Sequence, residues 1–200
     1  MGNVVVDMAA SLDGYVTGLN QRLEAPFGDG EVEKDLHSWM FDTAEENTAE
    51  LEAITDAGSF IMGRNMFSPD RGAWDLDWRG WWGPNPPYHG PVFVLTHHER
   101  APLEMEGGTT FHFVTNGLAE AMKLAREAAG ERNISVCGGA QTVNQCLAAG
   151  LIDELRLHVA PVLLGRGGRL FEGIGRIGLE QVGVRQATRV THLRYLVQRD

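Results

Sequence analysis

The sequence predicts an α/β fold in three layers, with a mostly parallel central sheet between helices and an antiparallel edge at its C-terminal end. Up to residue 160, short apolar runs alternate with segments of helical periodicity, which is typical of a parallel sheet. Two consecutive segments near the C-terminus then alternate in polarity and suit an antiparallel hairpin. With 200 residues, 43% of them hydrophobic, the chain is expected to form a single domain over residues 1–200.

Hydrophobic periodicity and turn residues assign each element in order. Strands are predicted at 4–10, 60–63, 92–96, 111–114, 134–136 and 155–160, and the hairpin at 182–188 and 191–197. Helices are predicted at 31–57, 118–129 and 140–149. The remaining long segments, 11–30, 66–90 and 165–178, are predicted as loops. The second of these holds four of the five tryptophans, and a loop of that length favours a functional role.

Bulk composition excludes several classes of protein. The net charge of −10 argues against a nucleic-acid-binding face, which needs clustered basic residues. No apolar run reaches the roughly 18–20 residues that span a membrane, and the N-terminus lacks the pattern of a signal peptide. Two cysteines, Cys137 and Cys146, give no disulfide framework. A cytoplasmic protein without membrane or nucleic-acid partners is therefore expected.

The most informative motif is the strand that runs into Gly138-Gly139 and directly into a helix. Without side chains, the two glycines let a ligand's phosphates reach the main chain, and the helix N-terminus offers free N–H groups. Loops 9–14, 63–67 and 96–100 follow parallel strands and should lie at the same sheet edge. Alone, the double glycine is also compatible with a purely structural turn.

Three familiar site motifs are missing from the sequence. It contains no G-x-G-x-x-G fingerprint, no P-loop and no G-x-S-x-G elbow, so a nucleotide would bind in a sheet of non-Rossmann type and a nucleophilic hydrolase is disfavoured. The pair His97-His98 has no further ligands at metal spacing, and no metal is predicted.

Taken together, the motifs resemble a known family. They are Ser11-Leu12-Asp13-Gly14-Tyr15, Gly63-Arg64, Val94-Leu95-Thr96, Gly138-Gly139, Asp153-Glu154-Leu155 and Pro161-Val162-Leu163-Leu164-Gly165. In order and spacing they resemble the dihydrofolate reductase fold over nearly the whole chain. The closest resemblance is to the reductase domain of the bifunctional riboflavin-biosynthesis deaminase–reductase.

This resemblance implies NADPH as hydride donor and assigns its contacts by motif. Ala9, Ala10 and Val16 would line the nicotinamide. The phosphates would be held by Gly63, Arg64, Asn65 and Met66. Leu95 would pack on the adenine, while Thr96 and His97, with Arg64, would meet the 2′-phosphate. The pyrophosphate and the nicotinamide ribose would be wrapped by Gly138, Gly139, Ala140, Gln141 and Thr142.

The substrate side is less determined, and each candidate keeps a structural alternative. Asp35, on the first helix, loosely matches the acid that holds the pterin in dihydrofolate reductases, or it is an exposed acid favoured by the helix dipole. His158 is a candidate proton donor or a satisfied core histidine. Asp13 is a substrate ligand or part of an Asp-Gly turn. Trp39 and Trp74 are candidates for contact with a small flat substrate.

The tryptophan-rich loop could stack on a flat substrate or pack into a neighbouring subunit, and a homodimer or higher homo-oligomer is expected. The leading hypothesis is an NADPH-dependent reductase of a small heterocycle or other C=N or C=O compound, resembling 5-amino-6-(5-phosphoribosylamino)uracil reductase or dihydrofolate reductase. The alternative is a non-catalytic nucleotide- or small-molecule-binding protein on the same scaffold.

Overall fold

A nine-stranded sheet forms the centre of the computed structural model, which describes residues 2–198. Its order is β10-β11-β8-β1-β7-β3-β4-β6-β5, and β2 and β9 form a separate two-stranded ribbon. The strands are β1 Val4–Ser11, β2 Tyr15–Thr17, β3 Ser59–Gly63, β4 Pro91–Leu95, β5 Leu103–Glu104, β6 Thr110–Val114, β7 Ile134–Gly138, β8 Glu154–Ala160, β9 Gly168–Arg169, β10 Leu179–Ala187 and β11 Val190–Val197. The predicted fold class is confirmed, and all eight predicted strands are found.

Six neighbouring strands, from β8 to β6 in sheet order, run parallel. Central strand β1 begins with three consecutive valines, as expected for a strand buried on both faces. Its register aligns Val6 with Val136 of β7 and Leu155 of β8. The last residues of the six strands therefore meet along one margin of the sheet, called the carboxyl edge below.

One face of the sheet, the helical face, is covered by α4 (Gly117–Ala129) and α5 (Ala140–Ala148). Alternate residues of the central strands, such as Val6, Ile61 and Val136, pack here with Ala125 and Val143 in the main core. The α4 stripe of alanines lets the helix lie close on β3 and β4.

The opposite face, the groove face, has two different covers. Helix α1 (Val32–Phe41) lies over β1 and β8. Over β3, β4 and β6 lies instead the aromatic segment, residues 69–90. Two of its tryptophans, Trp74 and Trp82, pack on Phe113 and Phe111 of the sheet, and Trp78 packs against the same cluster. Short helix α3 (Arg64–Phe67) leads into this segment. The long loop predicted here is thus ordered by its aromatic side chains.

The helix predicted at 31–57 is wrong as a single element. It divides into α1, a 3₁₀ turn at Ala44–Asn47, and α2 (Thr48–Thr55). Side chains cause the break, because Thr43 Oγ1 and Asn47 Nδ2 both donate to the carbonyl oxygen of Trp39, at 3.2 and 3.0 Å. Such side-chain bonds compete with the main-chain N–H that would continue the helix.

The terminal hairpin forms the antiparallel edge as predicted, but β10 starts at Leu179 rather than at 182. A register shift between Gln181 and Gly183 explains the missed residues, because it interrupts the alternation of polarity that marks a strand. The short strands β2, β5 and β9 were not predicted. Two or three residues carry too little pattern to identify them.

Candidate functional site

The double glycine lies at the carboxyl edge, where β7 ends and α5 begins. Gly139 is the N-cap of α5, and no side chain caps the helix. A side chain at Gly139 would meet no atom within 4 Å, so the space in front of this main chain is open. Gly138 has φ +114° and lies against Met8, a position that suits glycine. The first helical turn of α5 thus has no side-chain cap and begins beside open main chain, an arrangement that is typical of anion sites.

The end of β3 forms the second wall of this space. A Cβ on Gly63 would lie 2.5 Å from Thr142 Oγ1, so glycine lets β3 approach α5 without displacing the Thr142 hydroxyl. Ala140 and Thr142 are buried, whereas Gln141 is exposed. We call Gly63 together with residues 138–142 the glycine cradle. The structure brings these predicted cofactor residues together.

Arg64 comes directly after Gly63, but its side chain binds to the aromatic segment. Its guanidinium stacks on the Trp74 ring at 3.8 Å and donates to the carbonyl oxygens of Gly72 and Ala73. Desolvation lowers its pKa below the ordinary arginine value. Its Nε is buried without a partner. Arg64 therefore braces Trp74, and a phosphate would have to compete with two carbonyl oxygens for it. Two further residues of α3 are predicted phosphate ligands. Of these, Asn65 is exposed and Met66 is partly buried.

The loop after β4 carries the residues assigned to the adenosine end. Leu95 is partly buried and His97 is exposed. Thr96 is buried, and its hydroxyl accepts from the His98 N–H at 3.1 Å. The carbonyl oxygen of His98 in turn accepts from the Trp74 indole at 2.8 Å. His97 is thus the most accessible of the candidates for the 2′-phosphate, and Thr96 is the least.

Of the three residues assigned to the nicotinamide, Ala9 alone lies on the groove face, in the small cluster beneath α1. Ala10 and Val16 have their side chains in the main core. Contact with a nicotinamide at these two positions would come from the main chain.

Asp13 has a structural role in this chain. Its carboxylate accepts from the Ser11 hydroxyl at 2.6 Å and from the N–H groups of Leu164 and Gly165 at 3.1 and 2.7 Å. The Ser11 hydrogen bond is the largest cause of its lowered pKa. The carboxylate joins the loops that follow β1 and β8, and few of its acceptor sites remain for a substrate.

Two predicted substrate-side residues meet beneath α1, but the predicted acid does not join them. His158 and Trp39 are 3% and 1% exposed, and their rings lie 4.6 Å apart. Asp35, by contrast, lies on the exposed face of α1, which does not support its assignment as the catalytic acid. Trp74 packs with Phe67 and Phe113 in the other cluster of this face, away from Trp39.

The carboxylate that does face His158 is that of Asp7, which sequence reasoning missed. Its side chain is 4% exposed, and Oδ1 lies 3.5 Å from His158 Nε2. Its Oδ2 lies 3.5 Å from Arg156 Nη1. Neither oxygen has a hydrogen-bond partner. The available signal was a charged residue inside the apolar run Val4–Ser11, which is unusual for a strand buried on both faces.

Burial shapes the other titratable groups near this position. Desolvation, reinforced by His158, lowers the pKa of His192 to about 4. Desolvation also raises the pKa of the Cys137 thiol to about 12. Cys137 is therefore a thiol rather than a thiolate at neutral pH and is not a candidate nucleophile.

The sheet order and the parallel strands that end in the glycine cradle define a dihydrofolate reductase-like α/β protein. Residues 3–193 match the family of the RibD C-terminal domain, and the chain belongs to this family. The resemblance inferred from the motifs is thereby confirmed.

Several proteins of known structure have a similar fold. A putative riboflavin biosynthesis protein from Shewanella sp. PV-4 has a TM-score of 0.66 and 22% identity, over 98% of this chain and 99% of that one. Acinetobacter baumannii RibD has a TM-score of 0.63 and 17% identity, over 100% of this chain and 59% of its own. The riboflavin biosynthesis reductase Rib7 from Saccharomyces cerevisiae has a TM-score of 0.60 and 14% identity, with 99% and 89% covered.

A curated relative is the uncharacterized protein YyaP of Bacillus subtilis (strain 168). It is 24% identical over 193 residues, which cover 91% of this chain and 87% of the relative. Within residues 2–198, no helix has the length and apolarity to cross a membrane. The same residues contain no group of three or more His, Cys, Asp and Glu side chains that could hold a metal ion.

Proposed function

We propose that the protein is an NADPH-dependent reductase that transfers hydride to a C=N or C=O group of a small heterocyclic or unsaturated substrate. The observation that carries the proposal is the glycine cradle, where no side chain caps α5 and the bare main chain of Gly139 borders open space at the carboxyl edge. Membership of the RibD C-terminal domain family and the fold shared with Rib7 support a reductase.

The residues at the carboxyl edge fit most parts of the NADPH molecule. Residues 138–142 would hold the pyrophosphate and the nicotinamide ribose, because main-chain N–H groups bind anions without a side chain. Leu95 would contact the adenine, and His97 would meet the 2′-phosphate. A bound nicotinamide would supply the hydride. Ala9 and the groove face would orient it and exclude water.

The test of cofactor use is thermal unfolding with NADPH and with NADH. At a hundred times its dissociation constant, NADPH should stabilise the fold by about 2.7 kcal/mol, and NADH at the same concentration should stabilise it less. Equal stabilisation by both would contradict a 2′-phosphate site. No stabilisation by either would contradict the reductase proposal.

The alternative is a non-catalytic binding protein on the same scaffold, and the exposed position of Asp35 favours it. Oxidation of NADPH, followed by its absorbance, separates the two. The first substrate to test is 5-amino-6-(5-phosphoribosylamino)uracil, because a Thermotoga maritima protein of similar fold is described as a reductase of that compound. The second is dihydrofolate. Tight NADPH binding without oxidation in the presence of carbonyl or imine compounds would favour the binding protein.

A homodimer is part of the proposal. Strand β10 lies at the edge of the sheet and carries exposed apolar residues, with Val184 56% and Val182 43% exposed. An unpaired edge with apolar side chains is a surface that a second copy could cover. Sedimentation of the wild type and of Val184→Lys would test this, since the charge should favour the monomer.

A further inference from the structure

Four unpartnered polar atoms lie together on the groove face. Within residues 2–198, six buried side-chain N or O atoms have no hydrogen-bond partner, and four belong to one cluster. They are Asp7 Oδ1 and Oδ2, His158 Nε2 and Trp39 Nε1. Asp7 Oδ1 lies 3.5 Å from His158 Nε2, and the Trp39 and His158 rings lie 4.6 Å apart. Buried polar atoms are nearly always hydrogen-bonded, so four unpartnered atoms on three neighbouring side chains indicate a site rather than a structural network.

Hydrogen bonds fix the proton positions on the far side of this cluster. Asn47 Nδ2 donates to the carbonyl oxygens of Trp39 and Thr43, at 3.0 and 2.8 Å. Its Oδ1 therefore faces His192 Nε2 at 3.0 Å, and it also accepts from Arg185 at 2.8 Å. Because an amide oxygen can only accept, His192 must carry a proton on Nε2.

The same reasoning assigns the proton on the neighbouring ring of His158. With its pKa lowered to about 4, His192 is neutral at pH 7, so its Nδ1 is an acceptor. His158 Nδ1 lies 2.7 Å away and must donate to it. The remaining nitrogen, His158 Nε2, faces Asp7 Oδ1 at 3.5 Å. Without another proton, the nitrogen lone pair and the carboxylate would face each other as two acceptors.

We infer that Asp7 and His158, called the acid pair below, share one exchangeable proton and form the proton donor of the site. The inference rests on the proposed function for the donor role alone. Asp7 precedes Ala9 by two residues on the same face of β1, so it lies about 7 Å deeper than the position assigned to the nicotinamide. This places the pair on the same face of β1 as the position assigned to the nicotinamide, with Trp39 of α1 packed against His158.

The proton and the electrons balance across such a step. Hydride brings two electrons to the carbon of the C=N or C=O bond, whose π electron pair moves to the nitrogen or oxygen. That atom takes the proton of the acid pair, and the cofactor leaves oxidised. His158 keeps its Nδ1 proton. Since Asn47 cannot pass a proton on and both side chains are 4% exposed, the pair would regain its proton by way of the substrate position beside Ala9.

The charges around the pair allow it both to bind and to release its proton. Arg156 lies against Asp7 but is shared with Glu154, whose Oε1 accepts from its Nε at 2.7 Å. Glu154 also accepts from Arg194 at 2.7 Å. The groups that face the pair from all neighbouring elements are Arg156 and Glu154 on β8, His192 and Arg194 on β11, Cys137 on β7, His37 on α1, and Glu50 and Arg185 beyond Asn47.

The first test is NMR of the protein without ligand, with ¹⁵N-labelled histidine and ¹³C-labelled aspartate. At pH 7, His192 should carry its proton on Nε2 and His158 on Nδ1, and the ¹⁵N shift of His158 Nε2 should lie between those of a protonated and an unprotonated nitrogen. Asp7→Asn should move that shift to the unprotonated value, whereas Asp35→Asn should leave it unchanged. A proton on His192 Nδ1, or a His158 Nε2 shift that Asp7→Asn leaves unchanged, would overturn the shared proton.

The second test is calorimetry of NADP⁺ and NADPH binding in two buffers of different ionisation enthalpy. The cationic ring of NADP⁺ near the pair should favour loss of its proton, so NADP⁺ should release a proton on binding and NADPH should not. Asp7→Asn should bind NADP⁺ without this release. NADP⁺ binding with no proton release by the wild type would overturn the donor role. No binding at all would overturn the proposed function and the donor role with it, while the NMR result for the shared proton would stand.

Discussion

The glycine cradle and the acid pair belong to the same sheet, but the cradle lies on β3, β7 and α5 and the pair on β1 and β8. The cradle consists of main chain, with Gly139 open in front and Gly63 pressed against Thr142. The acid pair consists of side chains, and its geometry depends on partners from β8, β11 and the 3₁₀ turn. A main-chain site is fixed by local backbone, whereas a side-chain site needs distant elements to be in place. The two should therefore respond differently to substitution.

The largest expected effect comes from filling the cradle. Gly139→Ala adds a methyl group where no atom lies within 4 Å, so the free protein should unfold at the temperature of the wild type. The methyl should displace two charge-assisted hydrogen bonds to phosphate, each worth about 2 kcal/mol, and weaken NADPH binding about a thousandfold. Calorimetric titration would measure this.

Gly175→Ala is the matched control, because a side chain there also meets no atom within 4 Å. It should leave the affinity for NADPH unchanged. Unchanged affinity in Gly139→Ala as well would place the cofactor elsewhere.

The second effect is the pH dependence of the free energy of unfolding, and it tests His192, which supports the acid pair. The pKa of His192 lies at about 4, below its ordinary 6.5, so between these values the unfolded chain binds a proton that the folded chain does not. Stability is full above pH 6.5 and is lost as the pH falls toward 4. At about 1.4 kcal/mol per pKa unit, the loss reaches about 3 kcal/mol. The charged and titratable groups around His192 are His158, Asp7, Glu50, Arg185 and Arg194.

Urea unfolding at several pH values would measure this loss, with His192→Gln and the exposed His98→Gln compared with the wild type. His192→Gln should flatten the profile, and His98→Gln should leave it as it is. A profile that stays steep in His192→Gln would assign the loss to other groups.

The third effect separates two aspartates with opposite roles. Asp7 makes no hydrogen bond apart from the proton it shares with His158, and an asparagine amide can donate to the same His158 Nε2. Since Arg156 keeps Glu154, Asp7→Asn removes a buried charge at little loss of contacts. Stability should rise by about 1–2 kcal/mol. Asp13→Asn, which disturbs three hydrogen bonds, should lower the melting temperature. Denaturant unfolding measures both. A loss of about 3 kcal/mol or more in Asp7→Asn would make its carboxylate structural.

The same difference explains how much the sequence could predict. The strands and the Gly138-Gly139 motif are local patterns, and the cradle could be located from them. Asp35 and Trp39 share the predicted helical spacing, yet one is exposed and the other buried, because the packing of α1 on β1 and β8 decides which face is covered. The link from His158 to His192 spans 34 residues and depends on the register of β8 with β11. No local pattern encodes it.

Arg64 shows the same limit within the cofactor site. Its position after Gly63 predicts a phosphate ligand, but stacking on Trp74 depends on the path of the aromatic segment, which has no regular period. The sequence predicts a functional role for the aromatic segment. It does not show which side chains outside the segment, such as Arg64, the segment would contact.

The smallest effect decides between these two roles of Arg64. If the guanidinium leaves the carbonyl oxygens of Gly72 and Ala73 when cofactor binds, Arg64→Ala should weaken NADPH about tenfold, which corresponds to about 1.4 kcal/mol, and leave NADH unchanged. Arg100→Ala is the matched control, because Arg100 also braces the segment, by donating to the carbonyl oxygens of Leu76 and Trp78. Both variants should lower the melting temperature, but Arg64→Ala alone should change the ratio of the two dissociation constants. An unchanged ratio in both would mean that Arg64 braces Trp74 even in the complex and that the 2′-phosphate depends on His97.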